Sequence, residues 1–119
     1  MTNLKTKILA FSEQINAEIK EIRAHLHANP ELSFEEFETS KFIQNYLSKL
    51  EISYKSGFAK TGVVGKIEGK NPAKKIIALR SDMDALPINE NPDNKYCSLN
   101  KGVMHACGHD MPMASLLGT

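Results

Sequence analysis

The chain has 119 residues, 41% of them apolar and 24% charged, with a net charge of +1. That is enough for one domain with one core, and without a basic run or stripe it gives no footing for nucleic acid. Two cysteines at unrelated positions make no disulfide framework, and Ile8-Leu9-Ala10-Phe11 is too short for a signal peptide or a membrane span, so a cytoplasmic protein with no membrane partner is expected.

Leu4, Ile8, Phe11, Ile15, Ile19, Ile22 and Leu26 recur at steps of three and four, the spacing of one face of a long amphipathic helix. The helix is expected to stop near Asn29-Pro30, because proline disfavours helix at the residue before it. His25 and His27 lie at its end, where structural roles are expected of them. In Leu32-Ser33-Phe34-Glu35-Glu36-Phe37, Ser33 and Glu36 have the spacing of a capping box, and Leu32 and Phe37 that of a hydrophobic staple. A second helix is predicted from here to about Leu50, burying Phe42, Ile43, Tyr46, Leu47 and Leu50. Glu35-Glu36 resembles an acidic pair for catalysis, but capping and the helix dipole explain it unaided.

From Ile52 the pattern changes to short strands broken by Gly57, Gly62, Gly65 and Gly69. After the Asn71-Pro72 turn, the segment Lys74–Arg80 predicts an inner strand, since its apolar run Ile76-Ile77-Ala78-Leu79 suits burial on both faces. Asp82 and Asp84 follow, where open α/β sheets place their ligands, although Asp residues before Pro87 also form turns. Residues 89–101 read as a polar loop that contains the unremarkable thiol of Cys97. Then Met104-His105-Ala106-Cys107-Gly108-His109-Asp110 gathers a thiol, two imidazoles and a carboxylate within six residues. A thiolate and an imidazole two positions apart are the softer donors that zinc-like ions prefer, and the remaining ligands must come from elsewhere. Asp110 is expected to cap a helix starting near Met111-Pro112, with Met113, Leu116 and Leu117 buried.

Three motifs occur in order: Leu26-His27-Ala28-Asn29-Pro30-Glu31-Leu32-Ser33-Phe34-Glu35-Glu36, Leu79-Arg80-Ser81-Asp82-Met83-Asp84-Ala85-Leu86-Pro87-Ile88-Asn89-Glu90 and Met104–Asp110. Together they resemble the metal-dependent amidohydrolases of the aminoacylase/carboxypeptidase family, in the branch of the hippurate, N-acyl-amino-acid and auxin-conjugate hydrolases. The resemblance implies an α/β fold. Residues 1–119 would be the N-terminal portion of a zinc-exopeptidase-like catalytic domain, with long helices followed by strands of a mixed sheet. That domain would be incomplete, and the lid through which such enzymes dimerise would be absent. Two divalent ions are implied, zinc or manganese first and cobalt or nickel next. Cys107 and His109 would be ligands, Asp82 would steady the metal centre from behind, and His105, Asp84 and Asp110 would give further support. Arg80 would stand where distant relatives have a histidine ligand, and Pro112 replaces a histidine usual in the family.

The implied reaction is hydrolysis of the amide bond of an N-acyl amino acid or similar small, peptide-like substrate, by water that the metal activates. The general base, a downstream glutamate, and the other ligands would lie beyond these residues, so the 119-residue chain alone is expected to be inactive. Two alternatives are a non-catalytic remnant that pairs with another chain, and an amidase with Cys107 as nucleophile beside His105 or His109.

Overall fold

The computed structural model describes residues 3–119. Its elements are α1 (Leu4–Ala28), α2 (Phe37–Lys49), β1 (Ser53–Phe58), β2 (Gly62–Lys66) and α3 (Asp110–Leu117). The 3.6-residue periodicity of the first segment does form one helix, opened by the Asn3 side chain accepting from the Lys5 amide. It closes at Asn29, whose backbone N–H and side-chain amide both bond the carbonyl of His25, and Pro30 prevents continuation.

Only the C-terminal half of the α1 apolar face is covered. Ile22 and Leu26 are buried with Met113 and Ala114 of α3, and Ile19, Phe42, Ile43, Tyr46, Met83 and Leu117 pack around them. Burying Leu26 contributes roughly 1.5–3 kcal/mol by removing its surface from water. Helix α3 approaches α1 so closely that a Cβ on Gly118 would lie 2.6 Å from Ile19 Cδ1. Leu4, Ile8 and Phe11 share the predicted face but are exposed, because no described residue lies over them.

The start of α2 departs from the capping box. The cap position is Glu36, and its side chain makes no cap bond. Phe34, between Ser33 and the helix, adopts a left-handed φ of 64°. The carboxylate of Glu31 instead accepts from the Glu38 and Thr39 amides at 3.1 and 2.7 Å. Glu31 therefore places negative charge and two acceptors at the helix N-terminus, doing what was expected of Ser33 and Glu36. Phe37 is exposed, so the staple with Leu32 is not built, and Leu50 also faces outward. Glu36 is buried and accepts from Thr61 Oγ1 at 2.6 Å, which ties the hairpin to α2. Its role is structural.

The glycine-punctuated region forms short strands as expected, and they pair as an antiparallel hairpin, β1 with β2, with a bulge between Ser56 and Phe58. The expected inner strand does not form. Residues 74–80 carry no strand, and Ile76, Ile77 and Leu79 are exposed. A strand exists only where neighbours take its N–H and C=O groups, and no described segment pairs with this one. Pairing resumes just beyond it. Ala85 bridges Leu32 in parallel and Leu86 bridges Met104 in antiparallel, while the Leu99 amide bonds the Ala28 carbonyl at 2.8 Å. These links fasten the segment carrying Asp84, and the approach to His105, onto the α1–α2 connection. Among the described residues, no helix is long and apolar enough to cross a membrane.

Two stability measurements check this account. Leu26→Ala is expected to cost about 3 kcal/mol in denaturant unfolding, the transfer term plus a cavity at the α1–α3 contact. Glu31→Ala should cost about 1 kcal/mol, whereas Ser33→Ala should stay within about 0.5 kcal/mol of the parent chain. The reverse order would restore the capping box.

Candidate metal centre

Met104 is held at both its N–H and its C=O by Leu86, each at 2.9 Å. Beyond this anchor the chain folds through tight turns. The Ala106 amide bonds the Met104 carbonyl at 2.8 Å, and the Gly108 amide bonds that of His105 at 3.0 Å. Gly108 has a φ of +76°, a conformation that costs an L-residue roughly 1–2 kcal/mol. The Met111 amide then bonds the Gly108 carbonyl and α3 begins, with His109 in the cap position. The run 105–110 thus forms a knuckle between a strand-like anchor and a helix.

The four chemically active side chains of this knuckle diverge. Cys107 is an exposed free thiol. His109 is partly exposed, and its Nδ1 lies 2.9 Å from the carbonyl oxygen of Asp84 and 3.1 Å from Asp84 Oδ1. A carbonyl only accepts, so Nδ1 carries a proton, and in the neutral ring the lone pair falls on Nε2. His105 points inward, 3% exposed, and among the described residues neither of its ring nitrogens has a hydrogen-bond partner. Burial holds it below the ordinary histidine range against the opposing pull of Asp110. Asp110 also turns inward, at 1% exposure. It does not cap α3. Its Oδ2 accepts from Arg23 Nε at 3.1 Å and from His27 Nδ1 at 3.0 Å.

Asp82 and Asp84 separate as well. Asp82 is exposed and pairs with Arg80. Asp84 is the carboxylate that contacts His109. Arg23 and His27, of which only a generic structural role for His27 is expected from sequence, hold Asp110, and Glu90 holds the far side of His27. One signal was available: Arg23 and His27 stand four apart on α1, next to the buried Ile22 and Leu26, so both charges flank the buried face.

A bare imidazole nitrogen, fixed by its other nitrogen, and a thiol two residues away suit a zinc-like ion, and a carboxylate behind the imidazole is the usual support of such a ligand. The pair fits part of a site. Among the described residues no group of three or more His, Cys, Asp or Glu side chains converges as a metal cage, so these residues supply at most part of the coordination.

Residues 78–119, which contain Asp84 and the whole knuckle, match Peptidase family M20/M25/M40. Over 89% of its length the chain is 50% identical to Thermostable carboxypeptidase 2 of Saccharolobus solfataricus, of which it covers 27%. It is 42% identical to an N-acyl-L-amino acid amidohydrolase of Geobacillus stearothermophilus, over 97% of this chain and 31% of that protein. Among solved structures it resembles the YXEP protein of Bacillus subtilis, described as a dinuclear metal binding peptidase from the M20 family. There the TM-score is 0.82 and the identity 40%, over 88% of this chain and 30% of that one. The chain spans about a quarter to a third of the length of these relatives. Residues 78–119 thus carry the match to peptidase family M20/M25/M40, and the chain is similar along nearly its whole length to proteins described as carboxypeptidase, amidohydrolase and M20 peptidase.

Proposed function

We propose that Cys107 and His109 are metal ligands in a hydrolase that cleaves the amide bond of N-acyl amino acids or related small conjugates. The observation that carries this reading is the state of His109: its Nδ1 is committed to Asp84, so Nε2 is presented as a lone-pair donor. The relatives' names favour the substrate class. They include carboxypeptidase, N-acyl-L-amino acid amidohydrolase, N-acetyl-L-cysteine deacetylase and IAA-amino acid hydrolase, whose common denominator is an amide next to a carboxylate-bearing residue.

Two divalent ions are proposed, zinc or manganese first, because YXEP is described as dinuclear. The chemistry such ions supply when bound is Lewis acidity toward water and the scissile carbonyl. In this chain Asp84 keeps the His109 ring oriented and its proton on Nδ1. The left-handed turn at Gly108 sets the His109 ring and the Cys107 thiol from either side of one residue. Residues 1–119 are then the N-terminal portion of a catalytic domain. Further ligands, the glutamate base and a lid that pairs two protomers belong to other parts of the parent polypeptide. His105 and Asp110 support the knuckle from inside, and the exposed Asp82 pairs with Arg80.

Cobalt(II) titration of the metal-free chain reads the ligand assignment directly. A thiolate-to-cobalt charge-transfer band is expected, and Cys107→Ser should abolish it. Asp84→Ala should weaken cobalt affinity by about 10-fold, the low end for losing such a support, because the Asp84 backbone carbonyl remains. For the activity, the parent polypeptide should hydrolyse N-acetyl and N-benzoyl amino acids in a chelator-sensitive way and lose turnover with Cys107→Ser, while the 119-residue chain alone turns over nothing. Turnover that survives chelators and dies on thiol alkylation would instead make Cys107 a nucleophile.

A further inference from the structure

His27 stands between two carboxylates. Its Nδ1 is 3.0 Å from Asp110 Oδ2 and its Nε2 is 3.0 Å from Glu90 Oε1. Both partners are almost wholly buried, their side chains 1% and 3% exposed, and the His27 side chain is 16% exposed. An ionised carboxylate only accepts, and a neutral imidazole has one N–H to give. Both bonds are satisfied together only by the doubly protonated ring. Charge counting agrees. Glu90 and Asp110 bring two negative charges, and Arg23 and a charged His27 bring two positive ones. A neutral His27 would leave one buried negative charge uncompensated, which is the costly case.

We propose that His27, as an imidazolium, is a positioning residue for the ligand-bearing knuckle, clamping Asp110 to the segment of Glu90 so that loss of its proton loosens residues 105–110. The inference deepens the metal reading and rests on it for its consequence, since Asp110 directly follows His109. The clamp joins three parts of the chain. Glu90 also accepts from Asn94 Nδ2 at 2.8 Å and from the Ser98 amide at 2.7 Å, so it is fixed in its own loop. Glu90 and Asp110 bond the ring, the His105 ring centroid lies 6.4 Å away, and Lys20 and Arg23 of α1 and Lys95 and Tyr96 of the loop line the same cleft as His27. This open cleft of about 570 Å³, lined by several of these groups, gives the ring access to water and so to proton exchange.

Burial works against the charge on His27, but its bonds to Glu90 and Asp110 and their charges outweigh burial and lift it above its ordinary value of 6.5. Burial would likewise raise Glu90, but the bonds from His27, Asn94 and Ser98 hold it below its ordinary 4.5. A raised histidine contributes stability that is fully present below 6.5 and lost as pH rises through its folded value. A depressed glutamate contributes stability present above 4.5 and lost as pH falls through its folded value. The clamp is therefore closed from below 4.5 to above 6.5 and opens on the alkaline side.

Long-range ¹H–¹⁵N spectra of the metal-free 119-residue chain, taken from pH 5 to 9, test this. Both His27 ring nitrogens should be protonated at pH 6.5, with a midpoint above that value, and the amides of residues 106–110 should shift with the same midpoint. Glu90→Gln, which keeps the shape, should lower that midpoint, and H27Q should remove it from the knuckle amides and weaken cobalt(II) about 10-fold. A neutral, single-tautomer His27 at pH 6.5, or knuckle amides that ignore its titration, overturns the clamp, and the wild-type spectra decide this even if H27Q does not fold. With the coupled titration intact, absence of a thiolate–cobalt band in the wild-type chain overturns the metal reading and leaves the clamp supported.

Discussion

Asp110 is a carboxylate at 1% exposure inside a small domain, and the arrangement around it follows from that fact. Taking such a group out of water costs several kcal/mol unless opposite charge and hydrogen bonds are supplied. Arg23 and His27, both from α1, supply them at 3.1 and 3.0 Å. Helix α3 is thereby locked to α1 at its N-terminal end by charge. Further along, Met113 and Ala114 against Ile22 and Leu26 lock it by apolar packing. The polar contact fixes position along the helix in a way that a greasy surface alone would not, because a buried ion pair tolerates little sliding.

The knuckle hangs from this joint. Its inner side chains, His105 and Asp110, face the helices, and its outer ones, Cys107 and His109, face away. The split allows a rigid backbone to present reactive groups. His109 is steadied at Nδ1 by Asp84, and Asp84 is steadied in turn by the neighbouring bridge of Ala85 to Leu32 and the hydrogen bond that the Ala85 N–H donates to the Glu31 carbonyl. Glu31 also caps α2 through its side chain. One residue thus links the start of a helix to the support of the proposed ligand. His105 is the exception: it is buried, and neither ring nitrogen finds a close hydrogen-bond partner among the described residues.

Exposed apolar side chains include two runs that sequence patterning marks for burial, the first turns of α1 and the extended run through Ile76, Ile77 and Leu79. Both carry the composition of buried elements. The second has the β-branched run of an inner strand and no neighbour to hydrogen-bond it. Composition had done its part there, and pairing had not. The contrast with the hairpin is instructive, since Ser53–Phe58 and Gly62–Lys66 are adjacent in sequence and find each other without help from distant segments.

Local physics was legible in the chain itself. The span of α1 and its end at Pro30, the short strands after Ile52 and the loop over residues 89–101 all rest on spacing and turn residues over a few positions. Tertiary structure decided what needs contacts between distant positions. The α2 cap fell to Glu31 instead of Ser33, beside a left-handed Phe34. The bridge at Ala85 brought Asp84 to His109 and left Asp82 outside. The α1–α3 packing drew Asp110 inward, away from the helix end it was expected to cap. A carboxylate with two possible duties takes the one where opposite charge is waiting in a dry place, and only the folded chain determines where that is.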